Sequence, residues 1–516
     1  MRPNQLSIFL TVPGLTLASS LLFKGGTIIA FDNQTESLQV IRNGSVLVTD
    51  DRIETVAGPG APIHITNGTE VVDITGKILA PGQVNTHFHG WQTAFKTLGS
   101  NTSLVEYFSR YGEFAAAGLL SPEDVYVGQL AGILESVNGG VTTVLDHAHH
   151  TWSNATAEAG LQASVDSGVR VFWAYAFHNI TTITPNFLVP EQLANFRDLA
   201  SNASFRGSAT EIGIAYDSFG PSPNVAEVNA IISLAEEFKV PVITTHSLQG
   251  PWGIDNSPED LLNLGIINST IPFVLSHASF LTASGAQLLR TFNHYVSITP
   301  ESESHYGHTH PHSHLIQDQA AIGVDTHFTF SSDILTQTRL WLQATRRRLY
   351  GEVLERWQVP DNNPMSVNQA FLMATRHGGL ALRRSDLGII APGAKADLVV
   401  WNARDSPSML GWNDPVAAIV LHASVGDVEA VLVDGKWQKK GGRLVAEGYY
   451  TAFRERFLAS AARIQNKLIQ TSSEFPRVGD VWPASGLPIG DTLTVDTLRG
   501  NGTGYGGTFL VVDGAQ

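Results

Sequence analysis

"PGQVNTHFHGW", residues 81–91, sets His87 and His89 one residue apart behind an apolar run. Alternate side chains of a β-strand point to the same face, so on a strand both imidazoles aim at one spot. Two converging imidazoles can hold a metal ion if the rest of the chain brings further ligands. Two polar residues closing a strand is the plainer reading, and the pair alone does not choose between them.

The stretch opens a series of eight short apolar runs, at 83–89, 141–147, 169–175, 211–217, 240–246, 271–277, 294–300 and 320–325. Helical patterns separate them. "SPEDVYVGQLAGILESVNGG" starts with Ser121 as a candidate N-cap, carries acids in its first turn and ends in Gly139-Gly140. Strand–helix alternation predicts an α/β fold with a parallel sheet, and eight is the number that closes a (β/α)8 TIM barrel. Upstream, residues 27–31, 45–48, 52–56 and 70–74 are β-rich and punctuated by Gly, Asn and Asp. The same texture returns in "KADLVVWN", "VAAIVLHA" and "VEAVLVDGKW". The two ends are therefore expected to build one small composite β-sandwich.

The expected organisation is a leader over 1–20, a first sandwich half over 21–80 and a barrel over 81–385. A second sandwich half follows over 386–445, then a C-terminal helix and tail over 446–516. "YYTAFRERFLASAARIQNKLIQ" has helical spacing, and the Gly-rich "TLRGNGTGYGGTFLVVDG" reads as a loop or an added strand pair without an assigned role.

The ends of the runs carry the chemistry. Run one ends in His87 and His89, run five in His246, run six in His277 and run eight in Asp325. In a parallel barrel all strand C-termini meet at one face, where active sites sit. Alone, each such residue is ordinarily a hydrogen-bonded structural histidine or a turn cap. Together they bring five metal-competent side chains from four strands. A catalytic ion wants few protein ligands and an open position. Three imidazoles and one carboxylate leave a divalent ion net positive, which lowers the pKa of water at the ion towards about 7. His277 and Asp325 are the candidate bases beside it.

Composition sets limits. The chain has 516 residues, 43% hydrophobic and 15% charged, enough for a sizeable core. Its net charge of −15 argues against a nucleic-acid partner, since phosphate binding needs a basic surface. A small heterocyclic substrate stays open. With no cysteine, thiolate sites and disulfides are excluded, so any metal must use His and carboxylates. Residues 3–23 carry no charge but include Pro13, Gly14 and several hydroxyl residues, so no stable membrane span is expected. The stretch does have a signal-peptide shape, and nine N-x-S/T sequons occur along the chain. Secretion and a cytoplasmic location both stay open, as does a homo-oligomer.

"PGQVNTHFHGWQ", "GGVTTVLDHAHH", "VITTHSLQG", "VLSHASFLT", "TPESES" and "GVDTHFTFSSDILTQTRLWLQ" together resemble the amidohydrolase superfamily, in its triazine hydrolase/cytosine deaminase-like branch. "LGIIAPGAKADLVVWNA" and "DVEAVLVDGKW" resemble that branch's C-terminal half-sandwich, so the resemblance spans about residues 21–445. It implies His87, His89, His246 and Asp325 as metal ligands, His277 as the contact to the attacking water and substrate, and Asp325 also as base. Run four, "EIGIAYDSFG", has no lysine to become a bridging ligand, which favours one divalent ion, Zn first and Fe second.

One departure bears on the chemistry. Deaminases of the branch usually read His-x-x-Glu after strand five, and this chain reads His246-Ser247-Leu248-Gln249. Gln hydrogen-bonds but cannot give up a proton as an acid. Thr326 after Asp325 goes with Gln at that position in some triazine-hydrolase-like members. Expected substrate contacts are Gln249, His149, Trp91, Glu303, His305 and Thr326, with Glu301 or Glu303 as stand-ins for the missing acid and His308 as the alternative to His305.

The expected activity is a metal-dependent hydrolase acting on C–N bonds other than peptide bonds. Hydroxide generated at the ion attacks an sp² carbon of a small nitrogen heterocycle, with hydrolytic deamination first. Displacement of a halide or thioether, or cyclic amide hydrolysis, is the alternative. A barrel that binds ligands without turnover would be expected to have lost ligands, and none of the five is missing. A secreted scaffold rests only on the leader and the sequons.

Overall fold

The computed structural model describes residues 20–492, apart from 206, 310–311, 446 and 472–474. The leader, the sequon at Asn501, His310 and the Gly-rich tail beyond 492 lie outside the described residues.

Strands β1 (Ser20–Asp32), β2 (Ser37–Thr49), β3 (Arg52–Ala57), β4 (Glu70–Asp73) and β5 (Ile78–Pro81) precede the barrel. The barrel strands follow: β6 (Gln83–Phe88), β7 (Val141–Ala148), β8 (Arg170–Phe177), β9 (Glu211–Tyr216), β10 (Ile243–Leu248), β11 (Phe273–Ser279), β12 (Tyr295–Ile298) and β13 (Ala320–Ile322). Their pairing is parallel and sequential from β6 to β13. Helices cover the outside, so both faces of each strand are shielded, and every residue of β6, β7 and β8 is buried. The helix Pro122–Asn138 starts where the sequence predicts: Ser121 caps it, and the Asp124 carboxylate accepts from the Ser121 amide (2.7 Å).

The last strand meets the first at the seam. The carbonyl of His87 accepts from the amides of Val324 (3.0 Å) and Asp325 (2.8 Å), and Phe88 bridges Asp325 in parallel. Gly323 makes the approach feasible. A Cβ there would sit 2.5 Å from Ser297 Oγ and 2.9 Å from His87 Cβ. The seam thus sets Asp325 against the strand that carries His87 and His89.

The second sheet is drawn from both ends of the chain. After the barrel come β14 (Leu398–Trp401), β15 (Val428–Val433), β16 (Lys436–Lys440) and β17 (Arg443–Leu444). The hydrogen-bonded path runs β17-β16-β15-β14-β5-β1-β2-β3, with β4 added to β1. The join is antiparallel, Leu398 opposite Pro81 and Trp401 opposite Ile78. A bulge at Gly26 lets β1 pair with β4 through Leu21–Lys24 and with β5 through Thr27–Ile28. The sheet encloses its own apolar cluster, including Phe23, Ile28, Val46 and Leu398.

Arg170, at the start of β8, ties this sheet to the barrel. Its guanidinium reaches Asp397 (2.9 Å) and Asp434 (2.8 Å). The C-terminal helix Glu447–Gln470 packs on the barrel through Ile464 and Leu468. Farther on, Trp482 donates from Nε1 to the carbonyl of Trp252 (2.7 Å), and its ring lies 5.7 Å from Phe108.

Candidate active site and metal centre

Three imidazoles at the C-terminal face share one device. His89 donates from Nδ1 to the carbonyl of His147 (2.9 Å), which in the neutral ring leaves Nε2 as the acceptor. His246 donates from Nδ1 to Asp217 Oδ2 (2.9 Å), while its amide donates to Oδ1 of the same carboxylate (2.7 Å). His87 pairs through Nδ1 with Ser276 Oγ (2.8 Å). Each ring is thereby locked with Nε2 turned inward, as supported metal ligands are.

The Nε2 atoms meet Asp325. Its Oδ1 lies 3.0 Å from His89 Nε2 and 3.4 Å from His87 Nε2, and Ser302 donates to its Oδ2. His89 and His246 set their Nε2 atoms 3.3 Å apart. In neutral rings these two nitrogens present lone pairs to each other, and His87 Nε2 is buried with no hydrogen-bond partner among the described residues. Lone pairs facing one another in a buried site are what a cation satisfies. Donor atoms of His87, His89 and His246 lie within 4.8 Å of one another, as do those of His87, His277 and Asp325. The cluster is a divalent-metal site in its donor chemistry.

Burial pushes His87 well below the usual histidine range, so the ring is neutral. Burial would raise Asp325, but the imidazoles of His87 and His89 set against its Oδ1 hold it well below the usual carboxylate range. His277 is likewise neutral, pushed down to about 3 by burial, and pairs through Nδ1 with Thr299 Oγ1 (2.9 Å). Asp325 and His277 both sit at left-handed backbone angles, φ 74° and 69°. Such strain costs about 1–3 kcal/mol per residue and gathers at functional sites.

A cavity of about 420 Å³ opens over the cluster. Tyr107, Phe108, Phe114, Phe177 and Tyr216 give it apolar walls; Glu113, His147, His149, His178 and Asp217 add polar ones. Of the residues expected from the sequence, His89, His246, His277, Asp325, His149 and Thr326 line it. His87 lies beneath, fully buried. Glu303 stands behind His277, 3.7 Å from Nδ1, with burial raising its pKa to about 7.

Glu303 is therefore outside the cavity lining, and three more expected contacts also fall elsewhere. Trp91 sits in the 3-10 turn Gly90–Phe95, which buries its ring against Phe95 (5.7 Å) and Trp152 (5.3 Å). It is core, because the turn directs it away from the mouth. His305 belongs to the helix Pro300–Tyr306, and donates from Nε2 to the Gly99 carbonyl (3.0 Å). Gly307, at φ 78°, then turns the chain, and His308 enters the cavity wall 4.5 Å, ring to ring, from His277. Gln249 lies outside the cavity lining, with its amide donating to the Ser279 carbonyl (3.1 Å).

Other residues of the site escaped the sequence reading. Asp217 ends run four and orients His246. His147 ends run two, and with His149 it repeats the His-x-His spacing of 87 and 89. Glu113 reaches the cavity from the short helix Glu113–Ala116, and no local signal marks it.

Residues 78–438 match the family model described as "Amidohydrolase family". The chain belongs to the amidohydrolase family. This amidohydrolase is 25% identical over 417 residues to a 5'-deoxyadenosine deaminase of Methanothermobacter thermautotrophicus, covering 78% of this chain and 91% of that one. It is 26% identical over 434 residues to a 5-methylthioadenosine/S-adenosylhomocysteine deaminase of Thermococcus kodakarensis, covering 81% and 93%. In fold it is similar to the zinc complex of atrazine chlorohydrolase from Arthrobacter aurescens, with TM-score 0.72, 20% identity and coverage of 86% and 100%. An adenosine deaminase of Xanthomonas campestris with bound zinc gives TM-score 0.70 at 18% identity, covering 87% and 99%. These amidohydrolase structures share the barrel.

Proposed function

We propose that this amidohydrolase hydrolyses a C–N bond on a small nitrogen heterocycle, releasing ammonia, with His87, His89, His246 and Asp325 holding one zinc ion as its reaction centre. The observation that carries the reading is the convergence of three Nε2 atoms and one carboxylate oxygen at the floor of a largely apolar cavity. Three imidazoles and a carboxylate suit zinc, and solved relatives in fold hold that ion. When bound, the ion supplies the Lewis acidity that brings the pKa of water towards about 7.

The chain's own residues do the rest. The aromatic walls bind a flat ring and exclude water from around it. Asp325, held by Ser302, accepts the proton of the attacking water and passes it to the leaving nitrogen. His277, neutral and fixed by Thr299, donates a hydrogen bond to the oxygen that develops at the attacked carbon. A ring nitrogen must also be protonated, and Gln249 has no proton to give. Glu113 lines the cavity, with burial raising its pKa above the usual carboxylate range. It is the carboxyl group we assign to that transfer.

The deaminase names of the relatives favour adenine nucleosides with altered 5'-positions as first substrates to try. The test is ammonia release across a panel of such nucleosides and amino-triazines. Turnover of a member at kcat/KM above about 10⁴ M⁻¹s⁻¹, in the ordinary enzyme range, supports the reading. Chloride or thiol release without ammonia favours displacement instead, a second reading that Gln249 in place of Glu keeps in view. No turnover in any arm overturns both.

A further inference from the structure

Beside the first cluster, on the cavity wall, stands a second set of donors, of which the reaction above uses only Asp217, as the support of His246. His147 lies in β7, His149 follows that strand directly, and Asp217 follows β9. One donor atom from each, with one from His246, lies within 4.8 Å of all the others. His147 Nε2 is 3.3 Å from Asp217 Oδ2, and the His147 and His149 rings lie 4.6 Å apart.

The histidines lack the partners that structural imidazoles have. His147 is 1% exposed, and neither ring nitrogen has a hydrogen-bond partner among the described residues. His149 is 5% exposed and its Nδ1 is also unsatisfied, with Glu113 Oε2 at 3.6 Å. Orphaned polar atoms in a buried site carry a penalty of about 1–3 kcal/mol each unless something occupies the space between them. All of these residues border the same cavity, so an occupant can enter from solvent.

We infer that His147, His149 and Asp217 form a second site for a borderline divalent cation such as Zn²⁺ or Co²⁺, with His246 left to the first. Two imidazoles and a carboxylate match the nitrogen–oxygen preference of these ions. Three ligands leave coordination positions facing the cavity, open to a hydroxyl or amine of the substrate. No lysine is needed: Asp217 occupies the end of β9, next to His246, and its carboxylate supplies the charge.

The inference rests on the first site only through the shared neighbour His246, and the experiment separates the two. Full-length protein is stripped with a chelator, reloaded with excess Co²⁺, freed of unbound metal by gel filtration and assayed for bound cobalt per chain. Two equivalents are expected in the wild type and one in the His147→Ala/His149→Ala variant. The His87→Ala/His89→Ala variant is expected to keep the other equivalent. One equivalent in the wild type, lost with His87 and His89, overturns the second site and leaves the first standing. Two equivalents that survive loss of His147 and His149 also overturn it. The wild-type stoichiometry decides even if a variant fails to fold.

Discussion

Ser302 donates its hydroxyl hydrogen to Oδ2 of Asp325, while Oδ1 of the same carboxylate faces the imidazoles of His87 and His89. Under the proposed reaction, the hydroxyl fixes which oxygen meets the histidines and which is left for proton transfer. Asp325→Asn is expected to lower kcat by about 10²–10⁴-fold, the usual contribution of a positioned acid or base. Ser302→Ala keeps the carboxylate and loses its orientation. A loss of about 10–100-fold in activity or metal affinity is expected, as for other groups that support a ligand. Steady-state kinetics with a metal-binding titration checks both. An Asp325→Asn protein retaining more than a tenth of wild-type turnover contradicts the assignment.

Removing the ion tests the centre as a whole. Chelation should abolish turnover, and Zn²⁺ should restore it. Because the converging donors exist only in the folded chain, the ion also stabilises that chain. At free metal roughly 1,000-fold above Kd the gain is about 4 kcal/mol. Thermal unfolding with and without chelator reads it; coincident transitions would show that no metal is held.

Proton supply separates Glu113 from Gln249. Glu113→Gln is expected to lower kcat by about 10²–10⁴-fold with substrates that need ring protonation. Gln249→Ala, outside the cavity lining, should change it by less than about tenfold. The reverse ranking would move the acid away from Glu113.

Much of this site was legible before any coordinates. His246, His277 and Asp325 each close an apolar run, and parallel strands bring such ends to one face whatever the loops do. The same rule applied to run two and run four points to His147 and Asp217, so their place was equally readable. Trp91 and His305 were not. Their direction depends on a 3-10 turn and on one helix with a left-handed glycine after it, and neither is set by the strand pattern. Glu113 enters from a four-residue helix between strands, where periodicity carries no signal.

Arg170 offers a stability test remote from the chemistry. Its side chain is 4% exposed and that of Asp397 is 2% exposed. Arg170→Met leaves the Asp397 carboxylate buried with its charge uncompensated, and a loss of about 3–5 kcal/mol is expected in urea unfolding. A change within about 0.5 kcal/mol would mean that water already reaches the pair.

The same network predicts an acid limb. Burial would raise the pKa of Asp434, yet hydrogen bonds from Lys395 and Arg170 hold it below its ordinary value. A depressed carboxylate contributes stability that is present above the unfolded pKa, about 3.9, and lost as pH falls through the folded one. Stability should therefore decline below about pH 4. Asp434→Asn should flatten that limb, as pH-dependent urea midpoints would record.

Trp482 and Trp252 face each other edge to face at 5.9 Å, hard by Phe108 on the rim of the cavity. Two indoles this close couple their electronic transitions, so the molecule carries its own optical gauge. The pair adds its own share to the near-ultraviolet dichroism beside the buried Trp91–Trp152 pair, and a ligand that displaces Phe108 on entry alters that share without any attached dye.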